Sequence, residues 1–95
     1  MEVRFLIDLD TGFPHVDRHG VSEREVLDVL RKSEADVPAE DGARMAEGQS
    51  ESGRYLRVIY RMNDMDDSIL VVTAYDLPRK ALTALRRRRR RRNQR

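Results

Sequence analysis

The feature that most limits the fold is a pair of runs, "RYLRVIYRM" (Arg54–Met62) and "SILVVTAY" (Ser68–Tyr75), separated by "NDMDD". Both runs are rich in aromatic and β-branched residues, which favour strands, and the polar segment between them has the composition of a hairpin turn. In the first run Leu56, Val58 and Tyr60 share one face, while Arg57 and Arg61 share the other with Tyr55 and Ile59. The second run is apolar on both faces, as expected for a central strand covered on both sides. An antiparallel hairpin is therefore the nucleus around which the rest of the chain must pack.

The clearest helix signal precedes it, in "GVSEREVLDVLRKS". Ser22 followed three residues later by Glu25 forms a capping box, and Val21 and Val26 occupy the two positions of a hydrophobic staple. Val26, Leu27, Val29 and Leu30 make an apolar stripe at helical spacing, with Arg31 and Lys32 in the last turn, where the helix dipole favours cations. The pattern predicts a helix over residues 23–33.

Elsewhere the signals are weaker. "VRFLID" (Val3–Asp8) reads as a short strand, and "TGFPHVDRHG" as a loop broken by Gly12, Pro14 and Gly20. "SEADVPAEDGA" reads as a loop because of Pro38 and Gly42, "RMAEGQS" as a weak strand, and "ESG" as a turn. Pro78 suits the first turn of a helix, and Ala81, Leu82 and Leu85 would dock that helix on the sheet. The expected order is β-α-β-β-β-α: an antiparallel sheet with packed helices, the α+β class.

Charge divides the chain. Residues 1–85 carry 11 Lys/Arg against 17 Asp/Glu, a balance of −6, whereas residues 86–95 carry eight arginines and no acid. The expected organisation is one α+β domain over 1–85 and an arginine-rich tail over 86–95. Like charges repel at i,i+4, so the tail is expected to fray into disorder unless an anion neutralises it. No cysteine is present, which removes disulfides and thiolate zinc sites. No run approaches the ~20 apolar residues of a membrane span, and the start "MEVRFLIDLD" is acidic, unlike a signal peptide. A cytoplasmic location is expected.

The order "RHGVSEREVLDVL", "GRYLRVIYR", "ILVVTAY" resembles the BrnT toxins of the RelE/ParE superfamily, and is closer still to their uncharacterised bacterial relatives. The shared pattern covers roughly residues 15 to 80: an "RHG" helix start, a G-R-x-L-x-V strand and a final strand ending in T/S-A. The resemblance implies a RelE/ParE-like α+β fold, an RNase activity on mRNA and an antitoxin partner. Arg18 stands where the family often has Lys, and this chain departs from the pattern in three further places. It has no Trp-containing opening segment, His15 stands where the family has Asn, and Tyr75 stands where the family often has Arg.

RNA cleavage without a metal uses the 2′-hydroxyl as nucleophile. It needs a base, an acid and cations for the phosphorane charge. His15 and His19 are the two histidines, flanking Arg18, and are the candidate proton carriers. The plainer reading has His19 packed at the helix entry and His15 solvated. Their spacing would suit a metal on a helix, but Pro14 and Gly20 argue against a helix there, so no metal and no cofactor is expected.

Arg54, Arg57 and Arg61 are candidates to line one face with Tyr55 and Tyr75, holding phosphate and stacking a base. Equally, they mark a solvent face and pair with acids such as Glu47 and Glu51. Of these, Arg61 and Tyr75 join the two histidines as catalytic candidates, and Arg54 and Arg57 are assigned to RNA binding. Arg44 and Lys80 are weaker additions.

Arg86, Arg87, Arg88, Arg89, Arg90, Arg91 and Arg92 form the tail's phosphate-binding candidates. Without interleaved aromatics they would attract RNA rather than read it. The leading expectation is a toxin-family domain that binds or cleaves mRNA, with RNA or the ribosome as partner, an antitoxin beside it and self-association left open. The alternatives are a non-enzymatic interaction domain of the same fold, and a small nucleic-acid-binding accessory protein that works through its tail.

Overall fold

The computed structural model describes residues 2–93. These form strands β1 (Val3–Phe5), β2 (Ala35–Pro38), β3 (Arg44–Gln49), β4 (Tyr55–Met62) and β5 (Ile69–Asp76), with helices α1 (Glu23–Arg31) and α2 (Arg79–Asn93). The chain is α+β, as its sequence implies. The expected hairpin forms: β4 and β5 pair antiparallel from Leu56↔Asp76 to Met62↔Ile69. Ser22 caps α1, accepting from the Glu25 backbone N–H at 3.1 Å, while the Ser22 N–H donates to the Glu25 carboxylate at 3.1 Å. Val21 and Val26 are both buried in the core.

The single sheet runs β1-β5-β4-β3-β2, and it corrects the expectation in three ways. First, the segment read as a loop contains β2, so the described order is β-α-β-β-β-β-α. What holds this exposed edge strand is Asp36, whose carboxylate accepts from the Tyr60 hydroxyl at 2.5 Å and from Arg44 Nε at 2.9 Å. Pro38 ends the strand, and an edge tolerates its missing N–H.

Second, the sheet is mixed, because β1 pairs parallel with β5, Val3↔Ile69 to Phe5↔Val71. The strand predicted over Val3–Asp8 stops at Phe5. Beyond it, Ile7 makes only an isolated bridge to Pro14.

Third, β5 is covered fully on one face only. Register slips between Ile59↔Thr73 and Tyr60↔Val71, leaving Val72 as a bulge. The bulge puts Val71 and Ala74 on the same face, both fully buried, while Leu70, Thr73 and Tyr75 are half-buried on the other.

The core lies between the covered face and the segment Val16–Leu30. Val16, Val21, Val26 and Val29 pack with Ala46, Leu56, Val58, Tyr60, Ile69, Val71 and Ala74. Each fully buried valine of this set contributes ~1.5–3 kcal/mol, so the short helix is held by packing more than by propensity. Gly48 lets β3 approach α1: a Cβ there would stand 3.2 Å from the Lys32 carbonyl oxygen and 3.5 Å from Val29 Cγ1.

The opposite face is crossed by α2 only at its Tyr55 end. Leu85 is buried, and Arg86 and Arg89 lie over the Tyr55 ring at 5.5 and 5.2 Å from its centroid. The arginine run, expected to be disordered from Arg86, is helical to Asn93. Acidic and aromatic partners on the body relieve the i,i+4 repulsion that would otherwise fray it. Asn93 is the last described residue, so Arg95 of the expected tail lies outside the description.

Candidate functional site

Strand pairing brings three candidate side chains, Glu47, Arg57 and Tyr75, to the open face. Arg57 stands opposite Glu47 on β3 and opposite Tyr75 on β5. Its guanidinium is ion-paired with the Glu47 carboxylate, at 2.8 Å from Nε and 2.7 Å from Nη2. Both side chains are largely withdrawn from water, Glu47 to 8 % exposure. Burial would lower the Arg57 pKa, but hydrogen bonds with Tyr75 and Glu47 and the Glu47 charge raise it above the usual arginine value. Arg57 is therefore a permanent, oriented cation.

The histidines approach from the free edge of β5. The segment read as a loop contains a 3-10 helix, His15–His19, bounded by Pro14 and Gly20. Gly20 closes it in the left-handed region, φ 66°, a conformation that disfavours side-chain-bearing residues. β1 covers the edge of β5 only as far as Val71. Val16 is buried in the core, and the His19 ring meets Tyr75 edge-on with centroids 6.0 Å apart. His15 follows, 5.9 Å from His19 and tilted by 73°. Its Nδ1 lies 3.3 Å from Asp8 Oδ2. Arg18 also grips Asp8 and reaches Asp10 at 3.2 Å. The hydrogen bond from Arg18, followed by that from the Asp10 backbone N–H, pulls the Asp8 carboxyl down to about 2. The row His15–His19–Tyr75–Arg57–Glu47 is continuous across the sheet.

Two expected members of the site are elsewhere. Arg61 has the correct alternation, but it lies four residues further along β4, ~13 Å away at strand rise. It stands opposite Leu70 and donates to the Asp41 carbonyl at 2.6 Å. Arg54 precedes β4 and its guanidinium is consumed by structure. It bonds Asp76 Oδ1 at 2.7 Å, the carbonyls of Gly20 at 2.7 Å and His19 at 3.2 Å, and approaches Glu25 at 3.5 Å. The Asp76 hydrogen bond is the main reason its pKa is raised. Arg54 thus positions the backbone immediately after His19.

The tail arginines also divide. Arg89 bonds Glu34, Gln49 at 3.1 Å and the Tyr55 hydroxyl at 2.6 Å, and Arg92 reaches Glu34 at 3.3 Å. Arg86, Arg87, Arg88, Arg90 and Arg91 are exposed. Arg44 is held by Asp36, and Lys80 is exposed.

Sequence reasoning named Glu47 only as an ion-pair partner and did not place it in the site. Its signal is the Glu47↔Arg57 register, which depends on how β3 docks on β4. Among the described residues, no three His, Asp or Glu side chains stand together as a metal would require, and no helix is long and apolar enough to cross a membrane. Comparison with family models, curated proteins and solved structures gives no match.

Proposed function

We propose that this chain is a RelE/ParE-like toxin-type domain that binds RNA and cleaves it without a metal on the open face of the sheet. The observation that carries the reading is the junction of His19, Tyr75 and the Arg57–Glu47 pair, built from four separate elements. In this reading the scissile phosphate lies against Arg57, whose fixed guanidinium stabilises the charge gained in the phosphorane. His19 takes the 2′-hydroxyl proton, and Tyr75 stacks a base or carries the proton to the leaving oxygen. Glu47 keeps Arg57 extended across the face, and Arg54 keeps His19 in reach. His15 adjusts His19 from behind. Arg61 has no role in the chemistry, because it stands on a different part of β4.

One observation favours a second reading, a binding domain of the same fold. Glu47 already neutralises Arg57, so phosphate must compete with a carboxylate. The test uses the full chain and a mixed-sequence RNA, with cleavage scored by gel and binding by anisotropy. Arg57→Ala should reduce cleavage on the order of 100-fold, the usual worth of a transition-state cation. His19→Gln should cost 10²-fold or more, the usual worth of a proton carrier. Wild-type protein that binds RNA but never cleaves it would leave the binding-domain reading.

A further inference from the structure

The arginine run belongs to a helix with two distinct sides. At ~100° per residue, Leu85, Arg89 and Arg92 fall within about 60° of one another. They are the side that is buried or paired with the body. Arg79, Lys80, Arg87, Arg88, Arg90 and Arg91 occupy the remainder and are exposed. Among the described residues none of them has an acidic side chain within ion-pair distance. In this cationic surface Arg87, Arg88, Arg90 and Arg91 fill ~6 Å of the axis at helical rise, and Arg79 and Lys80 lie about two turns before them, beyond the exposed Thr83 and Ala84.

Its width is informative. Arg88 and Arg90 project about 160° apart around the axis, with Arg87 and Arg91 between them. A single strand lying along the helix meets one flank at a time. Two rows of phosphate on either side of the helix meet both, and only a double-helical groove supplies two such rows. A groove ~12 Å wide admits a helix, as in B-form DNA. The deep major groove of regular A-form RNA is too narrow, so an RNA ligand must be opened by a bulge or internal loop.

We infer that α2 is a preformed cationic rod that docks in a groove of double-helical nucleic acid, with Arg89 anchoring the rod and Arg87, Arg88, Arg90 and Arg91 contacting phosphates. This rests on the RNA-directed reading above, and it deepens that reading by naming a duplex element as the ligand. An acidic protein is disfavoured because its carboxylates need not form two rows at groove spacing. The buried Leu85 and the Arg89 contacts mean that most of the ordering cost is met before binding.

The experiment measures Kd by anisotropy across a salt series. Full-length protein is tested with a bulged RNA duplex, a regular RNA duplex, a DNA duplex, a single-stranded RNA of equal length and poly-glutamate. The expected order places the bulged RNA at least 10-fold tighter than the single strand. Replacing Arg87, Arg88, Arg90 and Arg91 together with Ala should flatten the slope of log K against log salt by ~3.6, at ~0.9 for each duplex phosphate contact. Arg89→Ala should leave that slope within ~0.5 and weaken helicity by circular dichroism, because Arg89 holds the rod rather than the ligand.

Ala84 is exposed. Ala84→Pro keeps every charge but breaks the helix ahead of the arginines, and should abolish the preference for duplex. Equal binding of single strand and duplex, or an Ala84→Pro variant that keeps the duplex preference, overturns the inference. Poly-glutamate binding as tight as the duplex overturns it in favour of an acidic partner. DNA duplex bound in preference to every RNA would sustain the groove assignment while counting against the RNA reading. Loss of cleavage alone bears on the sheet-face site and not on α2.

Discussion

Replacing Arg54 with Ala tests whether one side chain ties the histidine segment to the sheet. In the folded chain its guanidinium, 28 % exposed, joins Asp76 at the end of β5 to the carbonyls of Gly20 and His19 and to the capping Glu25. Asp76 is 71 % exposed and loses little when its partner goes, because water replaces it. The two carbonyl bonds are different: each is a hydrogen bond from a charged donor, worth ~1.5–3 kcal/mol where water cannot substitute freely. Discounting for partial exposure gives a loss of about 2–3 kcal/mol in all. For a domain of this size that corresponds to a fall of roughly 10–20 °C in Tm.

Urea denaturation followed by far-ultraviolet circular dichroism measures it, with the m-value expected to stay constant. Arg54→Lys should recover less than half, because an ammonium cannot span both carbonyls and Asp76. On the proposed ribonuclease reading, cleavage should fall in kcat with KM nearly unchanged, since His19 moves while Arg57 stays. A loss below ~0.5 kcal/mol, or full recovery by lysine, would refute the argument that the fork geometry of Arg54 is what matters.

Acid should destabilise the fold through carboxyls that the native state holds ionised. Asp8 is depressed to about 2 from 3.8 by Arg18 and the Asp10 N–H, and Asp76 is depressed by Arg54. The Asp8 contribution is complete above the unfolded value near 3.8 and disappears as pH falls towards about 2, and that of Asp76 is likewise lost as pH falls below its unfolded value. Equilibrium melts should therefore steepen in that window, and Arg18→Ala should remove part of the effect. Asp36→Ala leaves the Tyr60 hydroxyl without its acceptor and Arg44 with the backbone carbonyl of residue 36 in place of the carboxylate. It should cost ~1–3 kcal/mol and make the β2 amides the first in the sheet to exchange hydrogen. Ser22→Ala should cost about 1 kcal/mol, the usual loss of an N-cap, read from thermal melts.

The elements specified by local chemistry were legible in the sequence. The Ser22/Glu25 box, the valine stripe behind it and the β4–β5 hairpin each depend on residues close together in the chain. The alternation of Leu56, Val58 and Tyr60 against Arg57 and Ile59 likewise sorted the faces of β4. Tyr75 and His19 were candidates by chemistry alone, but nothing local said that they would meet. Their contact required β1 to stop at Phe5, leaving the edge of β5 open to the His15–His19 turn. Separating Arg57 from Arg61, which look equivalent in an alternating strand, required the pairing partners Glu47 and Leu70.

Tertiary context also overrode local signals. β2 is a short, largely exposed strand in a polar, proline-containing segment, yet it pairs because Asp36 finds Tyr60 and Arg44 across the sheet. The arginine run repels itself, yet it stays helical because Leu85 is buried and Arg89 meets Glu34, Gln49 and Tyr55. Short-range propensity is decided by neighbours a few residues away. Register, edge exposure and long-range ion pairs depend on groups tens of residues apart, and those meet only once the core has closed.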